Sequence, residues 1–274
     1  MADGRLRLVS RVGRHLPQRL GRRVPTPQFL ATHLNAQSKT FEIVGQEARH
    51  IARVLRKKPG DVLRLFDGKG SVFFGEITEA VPERVAGRVL EHPPAKSAAA
   101  GHWPWEIHLY QALPKGSKWD WVLEKGTEVG VTRFVPLISE RTIVRVPSGE
   151  VSRKTARWRK IVQAAAKQCG VARLPIVEEP QSFGEALQQA SKKGGLLLFA
   201  WESELAEPIW TALANQSKPS LVSLFIGPEG GWSLDEAETA KKAGTRPVGL
   251  GPQVLRTETA PIAAIAMLNA LLSR

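Results

Sequence analysis

From residue 105 onward the apolar positions of this chain gather into short unbroken runs: "EIHLYQAL", "RFVPLIS", "GLLLFAW", "LVSLFIG" and "PVGLG". Runs of that length with little polar alternation predict strands covered on both faces, as in a mostly parallel sheet. The stretches between them predict helices. Three open with a serine followed three places later by an acid (Ser117 and Asp120, Ser182 and Glu185, Ser233 and Glu236), the pattern of a capping box. Gly130, Gly170, Gly194 and Gly244 stand where those helices should stop. The fold class is therefore α/β.

Residues 25–92 follow a different pattern. "DVLRLFDGKGSVFFGEI" sets two apolar runs about Asp67-Gly68-Lys69-Gly70, a hairpin signal, and "RVAGRVLEH" predicts a further strand. Ahead of them, "QEARHIARVLRKKPG" predicts a short helix closed by Pro59-Gly60 and carrying Arg49, Arg53, Arg56, Lys57 and Lys58. "HPPAKSAAAGHWP", residues 92–104, lacks periodicity and has the composition of a linker. The expected organisation is a basic leader over 1–24, a small β-rich unit over 25–96, a linker over 97–104 and an α/β domain over 105–274.

Composition changes this picture in three ways. The net charge of +13 is uneven, since residues 1–24 hold seven arginines against one aspartate. Such a leader fits a basic arm that touches RNA, an organelle transit peptide, or a segment upstream of the natural start. The single cysteine, Cys169, excludes an intrachain disulfide and a multi-cysteine zinc site, and fits the reducing cytoplasm. No apolar run is long enough to span a bilayer. Histidine is more informative: all six lie between His15 and His108. The remaining chain has no histidine for a general base, a Ser-His-Asp triad or a zinc site, so no metal is expected there.

The candidate chemistry lies in two glycine loops near the C-terminal end. "LVSLFIGPEGGWSLDE" is a strand, a glycine turn and a helix start, and "LGPQVLRTETA" follows the next apolar segment. Neither is a dinucleotide fingerprint nor a phosphate-binding P-loop. Glycine admits a flat ring close to the backbone and proline stiffens the approach, so the loops suit adenine recognition by backbone groups. Thr257 or Thr259 is expected to cap the helix that follows.

These strings resemble the signature of the ribosomal RNA small-subunit methyltransferase E family of the SPOUT superfamily. "HIARVLRKKPGDVLRLFDGKG", "LPKGSKWDWVLEKGTEVGVTRFVPLISERT" and "RWRKIVQAAAKQCG" match in the same order, over roughly residues 25–274. The resemblance implies a C-terminal trefoil-knotted α/β domain preceded by a small PUA-like β-barrel. It implies S-adenosyl-L-methionine held by three loops, here Leu198–Ala200, Ile226–Gly231 and Leu250–Ala260. The cofactor-binding candidates are thus Leu198, Phe199, Ala200, Gly227, Pro228, Glu229, Gly230, Leu250, Gly251, Leu255, Arg256, Thr257, Thr259 and Ala260. It further implies a homodimer, and methylation of N3 of one uridine in the RNA of the small ribosomal subunit. Where the family commonly has an arginine after Gln-x-Gly, this chain has Val171, with Arg173 two places later. Two other readings stand beside it: a SPOUT enzyme methylating ribose 2′-hydroxyls, and an RNA-binding protein without catalysis. The barrel-first order and "LRTETA" favour the uridine enzyme.

Transfer of methyl to a uracil nitrogen needs alignment, a dry site and loss of the N3 proton. Arg256 is the expected catalytic cation, aimed at the anion that forms on O2 or O4. Glu229 and Glu258 are the candidate bases, although a carboxylate at a helix N-terminus is stabilised as the anion and is a weak base. Arg49, Arg53, Arg56, Lys57 and Lys58, with Arg157 of "SRKTARWRK", are the expected RNA contacts.

Overall fold

The computed structural model describes residues 27–35, 38–90, 103–202, 206–213 and 218–274. The basic leader, and the expected linker as far as residue 102, lie outside them.

The first unit is a six-stranded sheet in the order β1-β4-β5-β6-β3-β2. Its strands are β1 Gln28–Leu30, β2 His33–Asn35, β3 Thr40–Val44, β4 Val62–Phe66, β5 Val72–Val81 and β6 Arg84–Val89. The two edge strands are consecutive in sequence and are joined by Ala31 and Thr32, so the sheet curls until its edges approach. Ala31 N–H donates to Phe66 O and Thr32 N–H to Glu42 O across that corner, which leaves little open edge. β4 and β5 form the expected hairpin, with Asp67 Oδ1 accepting the N–H groups of Lys69 and Ser71. Inside lie Phe29, Phe41, Ile43, Leu63, Leu65, Phe73 and Ile77.

The basic helix is shorter than the sequence pattern implies. It runs as α1 Gln46–Arg49 and continues as a π-helical turn over His50–Val54. Arg56 adopts a left-handed conformation with φ 51°, and Lys57 N–H closes back on Ile51 O. Arg56, Lys57 and Lys58 therefore sit in the loop beyond the helix.

The second unit is a parallel sheet in the order β10-β8-β7-β13-β11-β14-β12, with β9 also paired to β8. The main strands are β7 Glu106–Ala112, β8 Arg133–Ile138, β11 Leu196–Ala200, β13 Leu221–Ile226 and β14 Arg246–Gly249. Every apolar run named above is one of them. The remaining strands, β9 Ile176–Val177, β10 Gln181–Ser182 and β12 Glu207–Pro208, are short. On one face pack α2 Lys118–Glu128, α3 Val151–Cys169 and α6 Thr259–Leu272; on the other pack α4 Phe183–Lys193 and α5 Leu234–Lys242. β7 shows why its sequence is continuously apolar: Ile107 and Leu109 join the first layer, Tyr110 and Ala112 the second.

Two of the three expected capping boxes form, at Ser182–Glu185 and Ser233–Glu236. The third does not. Ser117 makes no side-chain cap, and Asp120 instead receives the guanidinium of Arg157 from α3. The four glycines expected to end helices do follow them, with Gly170 in the left-handed C-terminal position at φ 85°.

The units meet along a seam. Gln28, 2% exposed, donates to Ala166 O at 3.2 Å and Val171 O at 2.9 Å. Lys167 pairs with Glu47 at 2.6 Å, and Ala172 packs on Phe66 and Val72. Arg173, at the point of departure from the family pattern, bridges the barrel turn at Gly68 and Lys69. A side chain 2% exposed with both its hydrogens bonded across the seam fixes the curled sheet on the C-terminal end of α3 by geometry, not charge alone.

Candidate cofactor pocket and active site

At the carboxyl ends of β11, β13 and β14 the chain encloses a cavity of about 940 Å³. This is the edge of an open α/β sheet at which loops diverge and ligands bind. The two glycine loops form facing walls, with Gly227, Pro228, Glu229 and Gly231 on one side and Leu250, Gly251, Leu255, Arg256 and Thr257 on the other. Ala200 and Ala260 complete the expected set.

The other expected cofactor residues are placed differently. Leu198 and Phe199 are 0% and 1% exposed, one in each packing layer, because β11 lies in the sheet between β13 and β14. They hold the strand, and only its last residue reaches the cavity. Gly230 lies under the side chain of Arg141, outside the wall, and Gly231 takes its place. Thr259 is the exposed first residue of α6, and neither it nor Glu258 lines the cavity.

Hydrogen bonds lock the loops together. Thr257 does not cap α6. Its hydroxyl donates to Gly227 O at 2.9 Å, while Gln111 Nε2 donates to Thr257 O at 2.7 Å and Oγ1 at 3.1 Å. Thr259 does not cap it either; Glu258 holds the cap position without a side-chain bond, and Arg256 O accepts the N–H groups of Thr259 and Ala260. Trp232 Nε1 donates to Ala200 O at 3.0 Å, with its ring stacked on Phe199 at 4.7 Å. The same indole explains Gly227, since a Cβ there would lie 3.2 Å from the ring. Gln111 was not legible in sequence, because a glutamine at the end of an apolar run gives no sign of what it supports.

The two candidate bases share one cation. Lys118 Nζ lies 3.3 Å from Glu229 Oε1 and 3.3 Å from Glu258 Oε2. A cation in the first turn of a helix opposes the helix dipole, and the two carboxylates offset this. Partial desolvation draws the Lys118 ammonium down, but its hydrogen bond to Glu229 and its ion pair with Glu258 outweigh this and hold it above its ordinary value. Burial pushes the Glu229 carboxyl up. The N–H groups of Lys115 and Glu229 itself, together with Lys118, more than offset that and hold it below the usual carboxylate range. A carboxyl kept ionised by three donors is a poor proton acceptor.

The same shift has a stability consequence. With its folded-state value depressed, Glu229 contributes stability that is fully present above the ordinary carboxylate pKa of about 4.3. That contribution is lost as pH falls through the depressed value. Glu229→Gln is expected to lower the melting temperature at neutral pH and to flatten the decline below about pH 4. Thermal denaturation of both proteins across that range is the measurement, and identical acid limbs would place the carboxylate outside the loop's stability.

Arg256 lies exposed on the cavity wall, and among the described residues no carboxylate pairs with it. Arg49, Arg53, Arg56 and Lys58 are exposed on the barrel and Lys57 is half-buried. The Lys167–Glu47 pair brings their helix against the C-terminal end of α3. Arg157 is exposed but tied to Asp120. Among the described residues no cluster of three His, Cys, Asp or Glu is arranged to hold a metal, and no helix is long and apolar enough to cross a membrane.

Comparison with known proteins agrees with this arrangement. Residues 101–269 match the model of an RNA methyltransferase domain, and residues 43–90 that of an RNA methyltransferase PUA domain. A ribosomal RNA small subunit methyltransferase E from Synechocystis is 34% identical over 85% of this chain and 74% of its own length. One from Bacillus subtilis is 30% identical over 85% of this chain and 91% of its own. The crystal structure of a ribosomal RNA small subunit methyltransferase E from Neisseria gonorrhoeae bound to S-adenosyl methionine superimposes with a TM-score of 0.78. It is 31% identical, covering 90% of this chain and 98% of that one. With the curled N-terminal sheet, the parallel sheet and the walled cavity, these matches show that the chain belongs to the ribosomal RNA small subunit methyltransferase E family.

Proposed function

We propose that this protein methylates N3 of a uridine in small-subunit ribosomal RNA, using S-adenosyl-L-methionine. The observation that carries the reading is the guanidinium of Arg256, without a carboxylate partner among the described residues, on the wall of a cavity built from backbone-lined loops. The residues present fit the cofactor. Ile226, Leu255 and Trp232 offer apolar surface to a flat ring, and Glu202 and Glu229 offer negative charge to a ligand that carries a sulfonium and an ammonium.

When bound, S-adenosylmethionine supplies an electrophilic methyl group. The chain's own part is to exclude water, align the uracil and hold the negative charge that spreads onto O2 and O4 as N3 loses its proton. Arg256 donates to one of those oxygens. Glu229 and Glu258, both paired to Lys118, brace the loops, and the N3 proton passes to bulk solvent as the uracil enters, before water is excluded. The strand order places β11, earlier in the chain, between β13 and β14, in keeping with threading of the C-terminal segment through a knot. The N-terminal sheet, Gln28 to Val89, serves as a PUA-like barrel gripping RNA through Arg49, Arg53, Arg56, Lys57 and Lys58.

The active form is a homodimer paired through α6. That helix has no charged residue, and its outer positions Ala263, Ala266 and Ala270 are apolar. A helix that is apolar all round is normally covered. The protein acts in the cytoplasm, where assembling subunits and unmodified RNA are found.

The test is transfer of labelled methyl to unmodified small subunits, with large subunits and transfer RNA as controls. Label recovered as 3-methyluridine from small subunits alone is the expected result. Label in a 2′-O-methyl nucleoside would favour the ribose enzyme. Neither label nor cofactor binding would leave an RNA-binding protein.

A further inference from the structure

We propose that Arg141 is a phosphodiester-binding residue on the rim of the cavity, gripping the RNA strand whose base enters the pocket; this rests on the methyltransferase reading above. Arg141 belongs to the "SERT" turn after β8, which the catalytic assignment leaves without a role. That turn is unusually well fastened. Ser139 N–H donates to Thr142 Oγ1 at 3.0 Å, the two hydroxyls lie 2.7 Å apart, and Thr142 N–H returns to Ser139 O at 3.1 Å. Both side chains are buried. Between them, Glu140 N–H donates to Glu236 Oε1 at 2.9 Å, and the other oxygen of that carboxylate accepts Ser233 N–H at 3.0 Å. Glu236, only 8% exposed, thus ties the turn to the start of α5, the helix that leaves the first glycine loop. A polar side chain at the tip of such a turn is held in place before any ligand arrives.

The guanidinium itself is exposed and lines the cavity. It gives one N–H to Gly230 O at 3.0 Å, and among the described residues no carboxylate pairs with it. A guanidinium has five N–H donors in a planar fork, so most remain for a ligand. The contrast with Lys118 is informative, because that ammonium is matched by two carboxylates. Arg141 and Arg256 are the cavity-wall cations without such partners among the described residues, which calls for an anion.

The chemistry of the substrate separates their roles. Uracil enters neutral, and only its developing anion needs a cation inside. The phosphodiester keeps its full charge, which is costly to bury, so it stays at the mouth. The arginine fork matches two phosphate oxygens there.

The experiment compares the full-length protein with Arg141→Ala and Arg141→Lys. It reads cofactor affinity by calorimetry, turnover on small subunits, and equilibrium binding of a fluorescein-labelled oligouridine over a range of salt. Arg141→Ala is expected to raise KM for RNA roughly tenfold. The slope of log affinity against log salt should become shallower by about 0.7, the value for one contact to a single strand. Arg141→Lys restores most of that slope, since a point charge suffices for counterion release. Cofactor affinity should be the same in all three. Weakened cofactor binding with an unaltered salt slope would overturn the proposal and place the guanidinium on the cofactor's own carboxylate. An unaltered slope with reduced turnover alone would make Arg141 a positioning residue for the Gly230 loop. Wild-type protein that binds cofactor but methylates nothing would refute the functional reading, and the oligouridine slopes would still decide the phosphodiester site.

Discussion

Arg256→Ala is expected to lower kcat for methyl transfer about a hundredfold, or ~3 kcal/mol, by analogy with loss of one oxyanion-hole donor. Arg256 stands where β14's loop turns into α6, with its carbonyl engaged by Thr259 and Ala260 N–H and its side chain on the cavity wall. The backbone there is fixed by the helix, which sets the point on the cavity wall from which the guanidinium reaches inward. Because the imide carries charge only as the proton leaves, the loss should fall on kcat more than on KM. Arg256→Lys should recover part of it, since a lysine keeps the charge without the planar fork. The readout is single-turnover methyl transfer at saturating RNA and cofactor. A raised cofactor Kd with an unaltered single-turnover rate would reassign Arg256 to the cofactor wall.

Ala266→Glu is expected to split the homodimer proposed above into monomers and to abolish most activity. Burying a carboxylate without a partner costs several kcal/mol, enough to shift an association equilibrium by orders of magnitude. The effect should reach the active site because α6 begins at Thr259, immediately after the loop that carries Arg256 and Thr257. Multi-angle light scattering gives the mass, and activity against protein concentration shows whether the loss follows dissociation. The control is Ala266→Val, which keeps the face apolar. A glutamate variant of unaltered mass and activity would show that this face of α6 is not the interface.

Part of the site was legible in sequence for reasons that lie in single segments. Gly227 and Gly251 mark backbone that a side chain would obstruct or strain: Gly227 by its contact with Trp232, Gly251 by φ 132°. Ser182 with Glu185 and Ser233 with Glu236 announced helix starts because the capping box is a contact between residues three apart. The same rule misjudged Ser117 because Asp120 had a competing partner, Arg157, brought there by packing of α3 on α2. The two threonines of "RTETA" were misjudged for a related reason. Thr257 faces Gly227, thirty residues earlier in the chain and across the cavity, so its hydroxyl serves the loop and not the helix.

What the sequence determined by itself was local: which runs become strands, where most helices start and stop, where the backbone must come close, and that no histidine follows His108. Those features rest on period, conformational freedom and composition, which need no distant partner. The tertiary structure decided the rest. It placed Lys118 between the two candidate bases, Glu229 and Glu258. It buried Leu198 and Phe199 and put Gln111 behind Thr257. It carried Arg141 from the far side of the sequence to the carbonyl of Gly230. Charge partners, pKa values and cavity walls depend on distances between residues about a hundred positions apart, and only the folded sheet sets those distances.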